Sequence, residues 1–194
     1  MKQTTKPIYG IQGGKGSFNH QAFKSLDLAP NSYELKYLYT TKNVLEALKK
    51  GKIDYGLFAV RNTSGAEVQE TAEVIDNYDF KLVQEVKIHI SHHLMIKQEA
   101  KWQNITQIMT HPQVFKQCER NLEKKHPELK QTIGKGELID NAKAAEAIAT
   151  NEIGDSTAYL GAEILSEIYE MEIIERDLQD SKNNLTTFWL VSSS

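Results

Sequence analysis

The chain has 194 residues, of which 40% are hydrophobic and 25% charged, and its formal net charge is −3. This size and composition are typical of a globular protein with one domain or two small lobes. The small net charge argues against nucleic-acid binding and against an electrostatic membrane anchor. One cysteine, Cys118, excludes an intrachain disulfide. No apolar run has membrane-spanning length, and the polar start Met1–Lys6 does not resemble a signal peptide, so we expect a cytoplasmic protein.

Strand-like runs alternate with helical patterns in the first part of the chain. The predicted strands are Ile8–Ile11, Tyr33–Tyr39 and Tyr55–Val60, and the predicted helices are Asn43–Lys50 and Glu67–Tyr78. The third strand is apolar enough to lie centrally between parallel neighbours. We therefore expect a mostly parallel sheet that is covered by helices.

The segment Lys81–Ile96 is strand-like over a length too great for one strand of a small sheet, so we expect it to pass between two lobes. The alternation then resumes, with strands at Ile105–Met109, near Gly136–Ile139, at Thr157–Leu160 and at Glu172–Ile174, and helices at Gln113–Lys125, Ala142–Thr150 and Ala162–Tyr169. We predict an α/β protein of two lobes with crossings near 79–84 and 175–181. Lobe 1 would hold about residues 1–79 and 178–194, and lobe 2 about residues 80–177. Loops at strand ends would line a cleft between the lobes.

Five loops offer hydroxyl or amide side chains for such a cleft: Gln12–His20, Arg61–Glu67, Thr110–Gln113, Asp140–Ala145 and Asn183–Phe188. Most of them lead into helical patterns, whose N-terminal N–H groups suit a carboxylate ligand. The third loop is typical of a capping box, with Thr110 as the N-cap and Gln113 reaching back to it. For any single loop, plain helix capping is the more frequent explanation.

Three other patterns have ordinary explanations. The glycines of Gly13–Gly16 lack the G-x-G-x-x-G spacing of a dinucleotide-binding loop. Among the histidines of His89–His93, the first and last are predicted on one strand face, but no cysteine or acidic residue has ligand spacing. Hydrogen-bonded histidines are therefore favoured over a metal site. Cys118 lies on the apolar face of its helix, which favours a core position over a nucleophile.

Five segments keep a recognisable order: GGKGSFNHQA at Gly13–Ala22, AVRNTSGAEV at Ala59–Val68, THPQVFKQC at Thr110–Cys118, DNAKAAEAIA at Asp140–Ala149 and QDSKNNLTTF at Gln179–Phe188. Together they resemble the catalytic domain of prephenate dehydratase, over nearly the whole chain. The matching family patterns include Gly-Pro-x-Gly-Thr/Ser-Phe-Ser, Pro-Ile-Glu-Asn-Ser, Ser-His-Pro-Gln and Gln-Asp-x-x-x-Asn-x-Thr-Arg-Phe. The resemblance implies a two-lobed fold like that of type II periplasmic binding proteins.

The resemblance also implies a function. Prephenate dehydratases convert prephenate to phenylpyruvate, with loss of CO2 and water, in aromatic amino-acid biosynthesis, and arogenate is a close analogue that would give phenylalanine. We accordingly expect a small dianionic substrate, no cofactor and no metal. A homodimer stays open. Many members carry a regulatory ACT domain after the catalytic domain, and we expect none within this chain.

Site residues are carried over from the family in the same way. The Thr of Thr-Arg-Phe is implicated in catalysis and falls on Thr186, whose hydroxyl would assist the departing hydroxide. The positions carried over for substrate binding are Gly16, Ser17, Asn62, Thr63, Asn141, Thr187 and Phe188, with Arg61 and His111 as further candidates.

Two positions depart from the family pattern. The family's Arg after the catalytic Thr is Thr187 here, and the Glu of Pro-Ile-Glu-Asn-Ser is Arg61. Either the substrate-binding cation has moved to position 61, or both loops have drifted and Arg61 faces solvent. Two other functions therefore stay open: a non-aromatising prephenate decarboxylase, and a catalytically silent protein that binds a small anion or regulates another protein.

Overall fold

The computed structural model describes residues 6–63 and 68–194, except for the side chain of Ile139. The chain forms two compact units: unit 1 runs up to His89 and includes Asn184–Ser194, and unit 2 comprises Ile90–Asn183. The predicted crossings near 79–84 and 175–181 were therefore placed too early. The reason is that Lys81–His89, predicted in lobe 2, pairs with the last strand of the chain and extends the sheet of unit 1.

Unit 1 is built on a five-stranded sheet. Its strands are β1 Ile8–Gln12, β2 Glu34–Tyr39, β3 Tyr55–Asn62, β4 Lys81–His89 and, from the end of the chain, β10 Leu185–Ser192; its helices are α1 Phe18–Lys24, α2 Thr41–Lys49 and α3 Gln69–Ala72. The strand order is β2-β1-β3-β10-β4. β1 is parallel to β2 and β3, whereas β10 is antiparallel to β3 and β4. The predicted central place of β3 is confirmed, but the sheet is mixed, because β10 enters it from the opposite end.

Helices of unit 1 pack on the two faces of this sheet, because successive residues of a strand point to opposite sides. On one face, Phe23 of α1 shares a core cluster with Phe188 of β10. On the other, Leu45 of α2 shares a cluster with Phe58 and Val191. The side chains of β10 alternate between these two clusters. Neighbouring side chains at the beginning of this strand therefore also point to opposite faces of the sheet.

The helix predicted over Glu67–Tyr78 is shorter than expected. Gln69–Ala72 is α-helical and Ile75–Asn77 forms a 3-10 turn, whereas Glu67 lies outside the described residues. The break comes at Val74, whose φ of −120° is far from the helical value. The predicted apolar face of Val68, Ala72 and Ile75 is confirmed only in part. Val68 and Ile75 are half-buried, but Ala72 is exposed, and Thr71 is the buried residue of α3.

Unit 2 has a five-stranded sheet of its own, in the order β7-β6-β8-β5-β9. Its strands are β5 His93–Lys97, β6 Gln107–Met109, β7 Lys130–Thr132, β8 Thr157–Gly161 and β9 Met171–Glu175; its helices are α4 Pro112–Lys125, α5 Asn141–Ala149 and α6 Ile164–Tyr169. β6 is parallel to β7 and β8, and β5 is antiparallel to β8 and β9. The strand predicted near Gly136–Ile139 is wrong, since those residues form a 3-10 turn. The edge strands are β7 and β9, and the three polar residues of β7 carry no strand pattern.

The long strand-like segment changes unit as predicted, since β4 ends at His89 and β5 begins at His93. The two histidines therefore belong to different units, and their prediction on one strand face is wrong. The outgoing and returning segments are tied within unit 2, where His92 N donates to Gln179 Oε1 at 2.9 Å. This hydrogen bond lies outside the strand pairing and joins the segments through which the chain enters and leaves unit 2.

Cys118 occupies the core of unit 2, as predicted, with no exposed surface. Burial and the neighbouring Asp180 carboxylate raise the pKa of its thiol to about 12. The thiol therefore stays protonated at neutral pH, which does not suit a nucleophile. Within residues 6–63 and 68–194, every helix is too short or too polar to span a membrane.

Candidate functional site

The carboxyl ends of β1 and β3 bring the predicted site segments of unit 1 to one edge of its sheet. The two strands are adjacent and parallel, so the loops that follow Gln12 and Asn62 leave the sheet on the same side. β10 runs antiparallel to β3 and begins at this edge with Leu185. Ligands of α/β proteins bind outside the carboxyl ends of the strands. Unit 1 therefore collects its candidate residues where this rule places a binding site.

Thr186 lies in the ladder at this edge, between Asn62 of β3 and Ile88 of β4. It is 9% exposed. Thr63 holds the beginning of the strand: Thr63 N donates to Leu185 O at 2.8 Å, and Leu185 N donates to Thr63 Oγ1 at 2.8 Å. Because these two bonds fix the residue before Thr186, the predicted binding residue Thr63 positions the predicted catalytic residue.

The turn Gly13–Ser17, which leads into α1, depends on glycine. The φ angles are +77° at Gly13 and +86° at Gly16, and a Cβ on Gly13 would lie 2.7 Å from Ser17 Oγ. Ser17 is the N-cap of α1, and its Oγ accepts a hydrogen bond from His20 N at 3.3 Å. The side chain of Ser17 thus shapes the turn, and its predicted contact with substrate stays a prediction.

His20 closes the same turn from inside α1, a role that the sequence did not reveal. Its Nδ1 accepts a hydrogen bond from Gly16 N at 3.2 Å, and its Nε2 lies 3.3 Å from the Tyr37 hydroxyl. Burial, together with Lys24 and Lys15, lowers the pKa of His20 to about 4. The ring is therefore neutral at pH 7 and able to accept the Gly16 proton. The sequence signal that could have revealed it is the spacing of four residues from Gly16, which puts His20 over the helix start.

Gln12 and Glu70 form a second polar connection that sequence reasoning missed. Gln12 Oε1 accepts from Ala59 N at 2.9 Å, and Gln12 Nε2 donates to Glu70 Oε2 at 2.9 Å. Glu70 Oε1 accepts from Thr41 N at 2.7 Å. One carboxylate thus ties α3 to the end of β1 and to the N-terminus of α2. A polar residue at the buried end of an apolar strand is the signal that could have found it.

Position 187, where the family pattern has Arg, belongs to a row of side chains across the sheet. Thr187 is the register partner of Arg61 on β3 and of Lys87 on β4, so the three project on one face. Thr187 is 5% exposed. The Arg61 guanidinium lies 3.4 Å from the Glu85 carboxylate, and its side chain is 57% exposed. Thr186, one residue earlier, points to the opposite face, so the fold does not join Arg61 to Thr186.

Phe188 is a core residue of unit 1. Its side chain is 1% exposed and belongs to the cluster of Tyr9 and Leu57 on the α1 face of the sheet. The alternation of β10 turns this ring into the sheet–helix interface. Its role as a substrate contact stays a prediction.

In unit 2, His111 rather than Thr110 caps α4. Gln113 N donates to His111 Nδ1 at 3.2 Å, while Thr110 Oγ1 donates to Leu160 O at 2.5 Å. The predicted capping box with Thr110 is wrong, because Pro112 takes the first helical position and moves the cap one residue along. The imidazole of His111 is occupied by capping, and its contact with substrate stays a prediction.

Asn141 is the first residue of α5, whose N-cap is Asp140. Asn141 Oδ1 accepts a hydrogen bond from the Tyr159 hydroxyl at 3.0 Å. Tyr159 is fully buried, and burial raises the pKa of its phenol, so it stays a donor. The Tyr159 hydroxyl thereby orients the amide of Asn141. The role of Asn141 as a substrate contact stays a prediction.

The Gln-Asp of the closing motif is structural in unit 2. The Asp180 carboxylate accepts hydrogen bonds from the backbone N–H groups of Arg120 at 3.1 Å and Asn121 at 3.0 Å, in the middle of α4. Asp180 N in turn donates to Gln117 O at 2.7 Å. The returning segment is thus hydrogen-bonded into the helix, with Gln179 bound to the outgoing segment beside it.

Two of the three histidines predicted to be hydrogen-bonded, His92 and His93, have partners in the structure. His92 Nε2 lies 2.6 Å from Gln117 Oε1, and His93 Nδ1 accepts a hydrogen bond from Asp177 N at 3.3 Å. Burial lowers the pKa of both rings. Over the described ranges, no group of three or more His, Cys, Asp or Glu side chains is arranged to hold a metal ion.

A family model described as prephenate dehydratase matches residues 9–194 of the chain. The chain belongs to the prephenate dehydratase family. A curated relative, the bifunctional chorismate mutase/prephenate dehydratase of Buchnera aphidicola, is 30% identical over 186 residues, which are 95% of this chain and 46% of the relative. Arogenate dehydratase 3 of Arabidopsis thaliana is 30% identical over 139 residues, which are 72% of this chain and 32% of that protein.

The fold of the prephenate dehydratase family is also found by structural comparison. The structure of prephenate dehydratase from Arthrobacter aurescens in complex with L-Phe gives a TM-score of 0.79 at 18% identity, covering 96% of this chain and 60% of that one. The motif-based resemblance and the α/β fold are thus confirmed. The chain spans less than half the length of the two curated relatives described above.

Proposed function

We propose that this chain catalyses the decarboxylating dehydration of prephenate to phenylpyruvate, or of arogenate to phenylalanine. The observation that carries the proposal is the placement of Thr186, at the strand edge where the family loops of unit 1 meet and directly after the residue that Thr63 fixes. Relatives named for prephenate and for arogenate support both substrates.

The reaction needs little from the protein apart from orientation and help for a leaving group. The bond between the ring and its carboxylate breaks, and CO2 leaves. The electron pair enters the ring, the bond from the ring to its hydroxyl breaks, and the hydroxide takes up a proton to become water. Aromatisation drives this sequence, while negative charge develops on the departing oxygen. A hydroxyl that donates a hydrogen bond to that oxygen lowers the barrier, and Thr186 supplies such a donor.

Substrate carboxylates need donors from the same edge. Asn62, the register partner of Thr186, carries an amide with two donor hydrogens. The turn that follows β1 brings Ser17 to the same edge. We assign one carboxylate of the substrate to these donors, because charge-assisted hydrogen bonds to a carboxylate are the strong ones. Thr187 lies on the opposite face of β10 from Thr186, and its contact with substrate stays a prediction.

The test is product analysis at neutral pH. Purified protein is incubated separately with prephenate and with arogenate, phenylpyruvate is read as its enolate absorbance in alkali, and phenylalanine is separated by chromatography. The Thr186→Ala protein, purified in parallel by the same procedure, serves as the blank. It measures the activity of contaminating enzymes and the spontaneous reaction of the substrate. A dihydro product that keeps its ring hydroxyl would instead show a decarboxylase. If neither prephenate nor arogenate reacted, the result would favour a catalytically silent protein that binds a small anion.

A further inference from the structure

Two adjoining cavities lie on the face of unit 1 that carries Arg61 and Thr187. The first has a volume of about 330 Å³ and is lined by Val60, Arg61, Thr71, Ala72, Ile75, Asp76 and Trp189. The second has a volume of about 400 Å³, and its walls include Tyr78, Asp79 and Phe80. Both contain Ile75, Asp76 and Trp189, so they meet there. We call the pair the Trp189 cavities.

The walls of the Trp189 cavities are aromatic. Tyr78, Phe80 and Trp189 are all half-buried, so part of each ring stays accessible. The ring centroids of Phe80 and Trp189 are 6.3 Å apart, with their planes inclined at 57°. Tyr78 already has a cation near its ring, since Lys49 Nζ lies 5.9 Å from the ring centroid. Aromatic rings attract cations through their quadrupole and pack well against apolar groups.

The unmatched charge in the Trp189 cavities is negative. Within the described part of the chain, the carboxylates of Asp76 and Asp79 take part in no hydrogen bond or ion pair. The cation at the far end, Arg61, faces the carboxylate of Glu85 at 3.4 Å. An anionic ligand would therefore meet two carboxylates, whereas the nearby cations Arg61 and Lys49 already lie against Glu85 and the Tyr78 ring. A cationic ligand would meet two carboxylates and aromatic walls.

We propose that the Trp189 cavities bind a small organic cation, an ammonium group carried on an apolar or aromatic body. The ammonium group lies at Asp76, where the cavities meet, and the body packs against Trp189 and Phe80. Because these cavities are on the sheet face opposite to Thr186, the ligand does not compete for the catalytic threonine. The proposal therefore goes beyond the lyase function and does not depend on it.

Trp189 provides the measurement. The chain has two tryptophans, and the other, Trp102, lies in unit 2, so Trp102→Phe leaves a single indole inside the proposed site. This protein is titrated with 2-phenylethylamine and, as a matched anion with the same body, with 3-phenylpropionate. We expect a saturable change of Trp189 fluorescence with the amine and an affinity at least about tenfold weaker for the carboxylate.

The variants locate the charge. In the same Trp102→Phe background, Asp76→Asn should weaken the affinity for 2-phenylethylamine by at least about tenfold. Asp27→Asn removes the same charge from another exposed position of unit 1, where the positive φ of 51° suits asparagine, and should leave the affinity unchanged. Urea unfolding curves show whether each variant is folded. Equal binding of amine and carboxylate, an unchanged affinity in Asp76→Asn, or no saturable response at millimolar amine would each overturn the proposal.

Discussion

Arg61 and Thr187 are cross-strand partners on β3 and β10, and Lys87 is the third member of their row on β4. An arginine at position 187, as in the family pattern, would stand between two cations in this chain. Like charges directly opposite each other in a sheet are destabilising. Arginines at both 61 and 187 are therefore expected to destabilise each other, even though Arg61 does not share the face of Thr186.

This row predicts a non-additive mutant cycle. Thr187→Arg should lower the free energy of unfolding by about 1–2 kcal/mol, because a long cation enters a buried position between two others. Arg61→Ala should be nearly neutral, since its exposed ion pair contributes little. The double variant should recover about 0.5–1 kcal/mol of the loss. Urea denaturation of the four proteins measures the coupling.

The same variants address the alternative that Arg61 has taken over substrate binding. Our geometry predicts that Arg61→Ala keeps kcat/KM within about threefold of the parent. A loss of two orders of magnitude would show that the cation has moved to position 61. Strictly additive effects on stability would mean that the two positions drifted independently.

Thr186→Ala should reduce kcat by roughly 100-fold and change KM little, because its hydrogen bond strengthens only as the hydroxide leaves. Thr186→Ser keeps a hydroxyl at the same atom and should retain most of the activity. Steady-state kinetics on prephenate and on arogenate provide the measurement. If the alanine variant turned over as fast as the serine variant, Thr186 would have no part in the chemistry.

Stability should fall between pH 6.5 and pH 4 because of His20. Its pKa in the folded protein is about 4, below the ordinary value of 6.5, so the unfolded chain binds a proton at a pH where the folded chain does not. The stabilisation is complete above pH 6.5 and is lost progressively as the pH falls through 4, by about 3 kcal/mol in all. His20→Gln lacks this titration, and the other histidines cancel in the comparison.

Urea unfolding of parent and His20→Gln at several pH values measures the difference. We expect the advantage of the parent to shrink steadily over this interval. A difference independent of pH would show that the pKa of His20 is the same in the folded and unfolded states, and would contradict the buried neutral ring.

Asp180→Ala should destabilise unit 2 by about 2–4 kcal/mol, because it removes the carboxylate that accepts hydrogen bonds from two backbone N–H groups in the middle of α4. Asp180→Asn keeps one acceptor oxygen and should lie in between. Asp155→Ala is the matched control, since it removes an exposed aspartate that pairs with Lys97 and should cost less than about 1 kcal/mol. Equal losses at 180 and 155 in denaturation experiments would mean that water replaces the carboxylate.

Local periodicity was sufficient for much of the fold. The apolar face of α4 placed Cys118 in the core, and the continuous apolar run of β3 placed that strand centrally, because burial of one face is written into neighbouring residues. The five motifs and their order along the chain were likewise sufficient for the family. Each motif needs only residues that are close together in the chain.

Tertiary structure alone decided the features that join distant residues. The insertion of β10 between β3 and β4 moved the unit boundary to His89, paired Arg61 with Thr187, and turned Phe188 into the core. The Gln12–Glu70 bond and the place of Asp180 in α4 are of the same kind. Strand register and buried hydrogen bonds are selected by the whole packed unit. A short stretch of sequence specifies which groups need partners, and only the fold determines which partners they find.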